Sequence, residues 1–166
     1  MVSRRWFPGG RKPDTWTLTS DLPAGTEVIF TGSTATQGTV TGSGLARSNS
    51  GDQIFAYQGS FASPTLIAGF QGNGTWDADA TAANTSALPP ALVNGFSARD
   101  LTPEIDNTQF NCSVTSGTAS TIRSAIMNTA NWVGNNDGNA FAGFSNCNFN
   151  IVDPSAPVLV NGFVSG

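Results

Sequence analysis

A chain of 166 residues, 39% of them hydrophobic, is long enough to build one domain around a real core and too short to suggest two. Only 11% of the residues are charged and the net charge is −4, which excludes the Glu- and Lys-rich surface of an intracellular helical protein; Thr, Ser and Asn fill the polar positions instead. Four of the seven basic residues (Arg4, Arg5, Arg11, Lys12) fall in the first twelve positions, so the body sets three cations against eleven acids and offers no patch for nucleic-acid phosphate.

Residues 1–14 read as an irregular basic arm, and residues 15–166 as a single β domain. The start, Met1-Val-Ser-Arg-Arg-Trp6, has a basic region with no apolar run behind it, so no secretory leader is read there. Residues 15–19 alternate polar and apolar, the pattern of a half-buried strand. Asp21-Leu-Pro-Ala-Gly25 is a turn, and residues 26–31 give the next strand. A weaker alternating piece follows at 38–41. Residues 47–52 are turn chemistry, in which Ser and Asn bond their own backbone and Gly51 is free to take positive φ. They feed a β-branched and aromatic strand at 52–58. A five-residue loop, Gly59-Ser-Phe-Ala-Ser63, leads to a second apolar strand at 65–70, making a hairpin. From Trp76 to Leu92 the periodicity is lost, and Trp76 and Leu88 are the expected anchors of that long loop. Short strands are expected at 92–97, interrupted by an Asn-Gly turn, and at 109–113. The one helix spans about 118–128, with Ile122 and Ile126 on one face, Trp132 beyond its end, and Thr118 or Ser120 as cap. Three short apolar pieces close the chain at 140–144, 148–152 and 158–160. Many short strands separated by Gly- and Asn-bearing turns predict an all-β sandwich or barrel, not a parallel α/β sheet.

The strand around Trp16-Thr-Leu18, the sequence Leu22-Pro-Ala-Gly-Thr26 leading into Val28-Ile-Phe30, and Ser48-Asn-Ser-Gly-Asp52 leading into Ile54 to Tyr57 together resemble the lamin-tail domain. The resemblance covers about residues 15–70. It implies an immunoglobulin-like β-sandwich of the kind found in nuclear lamins and in many secreted bacterial proteins, and it implies an extracellular or cell-surface address without naming a reaction. Residues 1–14 depart from the family by lacking the strand expected before Trp16, which would leave a sheet edge open there. The rest of the chain is similar to secreted bacterial β-modules of no assigned activity.

The absence of histidine excludes a Ser-His-Asp or Cys-His centre. Cys112 and Cys147 are two buried thiols or one disulfide; the low-charge, extracellular composition favours the disulfide. Three Asn-x-Ser/Thr sequons, at Asn73, Asn84 and Asn111, matter only in a eukaryotic secretory pathway. Calcium is the candidate cofactor, because carboxylates, Asn amides and loop carbonyls are hard oxygen ligands. Its candidate ligands are Asp77, Asp79 and Asp137. Trp76 is the candidate ligand-binding residue, through stacking on a sugar face. Carboxylate pairs for glycoside hydrolysis are Asp77 with Asp79, and Asp100 with Glu104 or Asp106. The expected function is a non-catalytic extracellular β-module, adhesive or structural, that binds a glycan or surface or assembles with its own kind through strand edges. A carboxylate-based glycan hydrolase is the alternative. No nucleic-acid partner and no membrane span are expected.

Overall fold

The computed structural model describes residues 14–45, 52–78, 84–136, 146–152 and 163–165. Its centre is the hairpin formed by β5 (Gln53–Ser60) and β6 (Ser63–Gln71). Ile and aromatic side chains pack well on a pleated surface; Phe55, Tyr57, Gly69 and Gln71 are buried, while the turn end of the hairpin is exposed. The strands pair antiparallel with Ser60 opposite Ser63, so the turn holds only Phe61 and Ala62. The five-residue loop expected from sequence is therefore too long; Gly59 and Ser63 still belong to the ladder. A register shift at Ala56/Tyr57 leaves Ile67 as an extra residue on β6, a bulge that turns it outward to 38% exposure.

Four more strands complete a six-stranded sheet: β1 (Asp14–Thr17), β4 (Thr39–Thr41), β7 (Ala98–Asp100) and β12 (Phe163–Ser165), in the order β4-β1-β12-β5-β6-β7. All neighbours are antiparallel except β6 and β7. The edge expected to lie open beside Trp16 is closed, since β1 pairs with β4 on one side and β12 on the other.

On one face Phe55, Leu92 and Ala98 form a buried cluster, with Leu66, Trp76 and Leu88 packed against it. Trp76 and Leu88 thus anchor the long loop as expected. Gly69 makes this contact possible, because a Cβ there would lie 2.9 Å from Leu92 Cδ1 and 3.0 Å from Phe55 Cδ1. The opposite face carries Phe70 and Arg99, which are register partners across β6 and β7. Both meet Trp132: Phe70 lies 6.3 Å away between ring centroids, and the Arg99 guanidinium stands 4.9 Å over the indole.

Trp132 belongs to a second group of elements. β8 (Asn107–Phe110) pairs antiparallel with β10 (Trp132–Asn135), and β9 (Ser116–Gly117) pairs parallel with β11 (Asn150–Ile151). Between them lies α1 (Ala119–Met127), where the sequence put its helix. Thr118 is its N-cap and accepts from the Thr121 N–H at 3.1 Å. Ile122 and Ala125 are its buried residues, and Trp132 donates its indole N–H to Ile126 O at 2.7 Å. A separate two-stranded piece, β2 (Phe30–Thr31) with β3 (Thr34–Ala35), completes the described strands. Among the described residues the chain is mostly strand with one short α-helix, as composition and periodicity predicted.

Three expected strands differ. Residues 26–31 pair only at Phe30 and Thr31, because Glu27 and Val28 have no neighbouring strand among the described residues. Residues 92–97 form a turn whose carbonyls at Leu92's neighbour Val93 accept three amides, with Gly95 at φ 81°, and the strand begins at Ala98. The strand expected at 109–113 sits earlier, since Cys112 takes φ 56° and cannot continue an extended ladder. The pieces at 140–144 and 158–160 lie outside the described residues.

Candidate binding groove

The two cysteines are joined as a disulfide, Cys112–Cys147, with Cα atoms 5.2 Å apart. The bond fastens the end of β8 to the segment leading into β11. That segment forms one side of a groove of about 520 Å³. Its walls are residues 25–29 and β8 residues Thr108, Gln109 and Phe110. Its floor is apolar: Ile122 and Ile126 from α1, Trp132 from β10, and Phe149 and Ile151 beside the disulfide.

Each wall is placed by a local cause. The turn at Pro23 closes with Thr26 N–H donating to Pro23 O at 3.1 Å, and Gly25 sits at φ 91°. A Cβ on Gly25 would lie 2.7 Å from the Phe149 carbonyl oxygen, so glycine is what allows this turn to approach the segment leading into β11. Glu27 then crosses over: its Oε1 accepts from Cys147 N–H at 2.8 Å and its Oε2 from Asn148 N–H at 3.4 Å. On the floor Phe110 meets Trp132 edge-on at 6.2 Å and stacks with Phe149 at 6.1 Å. The aromatic contacts fix the floor, and Glu27 ties residues 25–29 to the segment beside the disulfide.

Electrostatically the groove is simple. Glu27 is the one ionisable side chain among the described residues that line it, and Gln109 brings a buried Oε1 with no hydrogen bond. A second, smaller hollow of about 400 Å³ shares Gly25, Thr26, Glu27, Asn146 and Phe149 with it and adds Asn148. An apolar trough thus opens at Glu27 onto an amide-rich mouth. Behind the floor, Arg99 is 3% exposed and donates Nη1–H to Met127 O at 3.2 Å, where a cation suits the end of a helix. Its Nε and Nη2 have no hydrogen bond, and burial pulls the guanidinium below its ordinary pKa, against the opposing pull of Asp100.

The residues singled out from sequence lie elsewhere. Trp76 stacks on Phe55 at 5.9 Å and donates its indole N–H to Asn94 Oδ1 at 3.2 Å, so much of its ring serves the core. Asp77 is half-buried and donates its backbone N–H to Ser86 O at 2.9 Å. Asp79 and Asp137 lie outside the described residues. Among the described residues no three Cys, Asp or Glu side chains gather as a metal site would require. Asp100 accepts from Asn94 Nδ2 at 3.1 Å. At Glu104, burial first and then neighbouring Asp106 raise the carboxyl above its ordinary pKa.

The groove was not visible as a unit in sequence, because its walls come from four distant stretches. Two signals pointed at parts of it: the shared face of Ile122 and Ile126, and the expected cysteine pair. Comparison with models of known protein families, with curated proteins and with solved structures found no match.

Proposed function

We propose that this chain is a non-catalytic binding module of an extracellular, lamin-tail-like kind, and that it binds through the groove between residues 25–29 and β8. One observation carries the reading. The groove combines an apolar aromatic floor with a single carboxylate held by two backbone amides, and its described lining offers no nucleophile–base or acid–base pair. Such a lining holds a ligand and does not transform it. The disulfide supports an oxidising, extracellular address. No helix among the described residues is long and apolar enough to cross a membrane. Self-assembly through strand edges and glycan binding at Trp76 belong to the same class of non-catalytic function; the groove is the more defined surface.

The test is a nuclear magnetic resonance titration of labelled protein with apolar and peptide probes, next to a glycan hydrolysis screen. Shifts clustered at Val28, Gln109 and Ile126, reduced when Ile126→Trp fills the floor, are the expected result. Turnover of any glycan that is lost in Glu104→Gln would instead establish the hydrolase.

A further inference from the structure

Resting on the reading of the groove as the binding site, we infer that its occupant is an extended segment of a partner polypeptide, taken up as an added strand. A strand that shows a cavity one face contributes every second residue. Both walls contribute consecutive residues instead: 25–29 on one side, and Thr108, Gln109 and Phe110 on the other. The two walls therefore meet the groove with their backbones as well as their side chains.

Those backbones have hydrogen-bonding capacity to spare. The Asn111 N–H donates to Asn131 O at 2.8 Å, continuing the register in which Phe110 faces Trp132. In an antiparallel pair bonded and non-bonded residue pairs alternate, so Asn107 and Gln109 bond to β10 while the N–H and C=O of Thr108 and Phe110 turn away from it. β10 is the only described neighbour of β8, so among the described residues that outer edge has no ladder partner. Across the groove, Glu27 and Val28 make no backbone hydrogen bond among the described residues. Their sequence, Thr-Glu-Val-Ile-Phe, is strand-forming, yet the ladder begins only at Phe30. Among the described residues, a strand-type segment without a ladder partner and a strand edge without one border the same apolar trough.

Charge complementarity narrows the occupant. Glu27 is bonded to two amides but to no cation among the described residues, and the body of the chain is acidic. The favoured segment carries a lysine or arginine near Glu27, with apolar side chains at alternate positions directed to Trp132, Ile126 and Phe149. Backbone bonds to the walls supply affinity, and the floor and Glu27 supply selection.

The probe is a blocked heptapeptide alternating valine and threonine, with lysine at its third residue. It is compared with the same peptide N-methylated at alternate backbone nitrogens, and with a version carrying norleucine for lysine. Calorimetry and amide hydrogen exchange are read on the intact, oxidised chain. Saturable binding with slowed exchange at Glu27, Val28, Thr108 and Phe110 is expected. N-methylation should weaken it by about tenfold or more. Norleucine should weaken binding to the wild type but not to Glu27→Gln, which keeps an acceptor for the Cys147 amide. Equal binding of the N-methylated peptide overturns strand addition while leaving the groove as a site. Binding of dodecyl maltoside at Val28 and Ile126 without peptide binding overturns the choice of occupant. Self-association that protects the same four amides makes the occupant a second copy and likewise overturns it. If no probe perturbs the groove, the proposed function fails with it.

Discussion

At the scale of single residues, space and solvation decide most outcomes. Gly69→Ala puts a methyl into the contact between Leu92 and Phe55, and overpacking of this kind costs about 1–3 kcal/mol. Urea unfolding should show that loss with an unchanged slope. Glu104 gives a pH signature whose sign follows from its raised carboxyl pKa, caused first by burial and then by Asp106. The native state holds this proton more tightly than the unfolded chain, so the contribution is present below the ordinary Glu value and is lost as pH rises through the native one. Glu104→Gln should therefore unfold at higher urea than wild type near neutral pH, with the difference shrinking toward about pH 4. Equal unfolding midpoints across that range would remove the assignment. Gln71 is fully buried with neither amide atom bonded, and we have no physical account of that residue.

Elements differ in how much of their cause is local. The helix was legible almost to the residue, because Thr118 caps it and Ile122 and Ile126 mark its buried side within a single stretch of chain. Thr118→Ala should cost about 1 kcal/mol, and Thr118→Ser should restore most of it, read from thermal unfolding. The β5–β6 hairpin was legible in place but not in turn length, since its register is set by cross-strand pairing and by the bulge at Ile67. Residues 26–31 show the opposite case. Their β-branched and aromatic content is real, but a ladder needs a neighbour, and none of the described elements supplies one at Glu27 and Val28. The groove was illegible for a related reason: Gly25, Phe110, Ile126 and Cys147 meet only after the sheets have assembled. Arg99 left no trace in sequence either, as one arginine between Ala98 and Asp100 gives no hint that it will lie over Trp132 and bond the end of α1.

For the whole molecule, the Cys112–Cys147 bond joins residues 35 apart and should stabilise the fold by about 4 kcal/mol in the chain-entropy model. Reduction, or the paired change Cys112→Ser with Cys147→Ser, should lower the melting temperature and speed amide exchange at Cys147 and Asn148, whose N–H groups rest on Glu27. Unchanged exchange there would mean that Glu27 alone holds the rim. The sheet order has a consequence in time. β12 lies between β1 and β5, so residues 163–165 join a strand begun at Asp14 to one begun at Gln53. Translation delivers those residues about 10–30 s after the first strand at usual speeds. Until then β1 with β4, and β5 with β6 and β7, are two half-sheets with facing open edges. A nascent chain of this design spends its synthesis exposed to mispairing, and a chain halted at residue 162 should accumulate on the ribosome in a form that proteases cut between the halves.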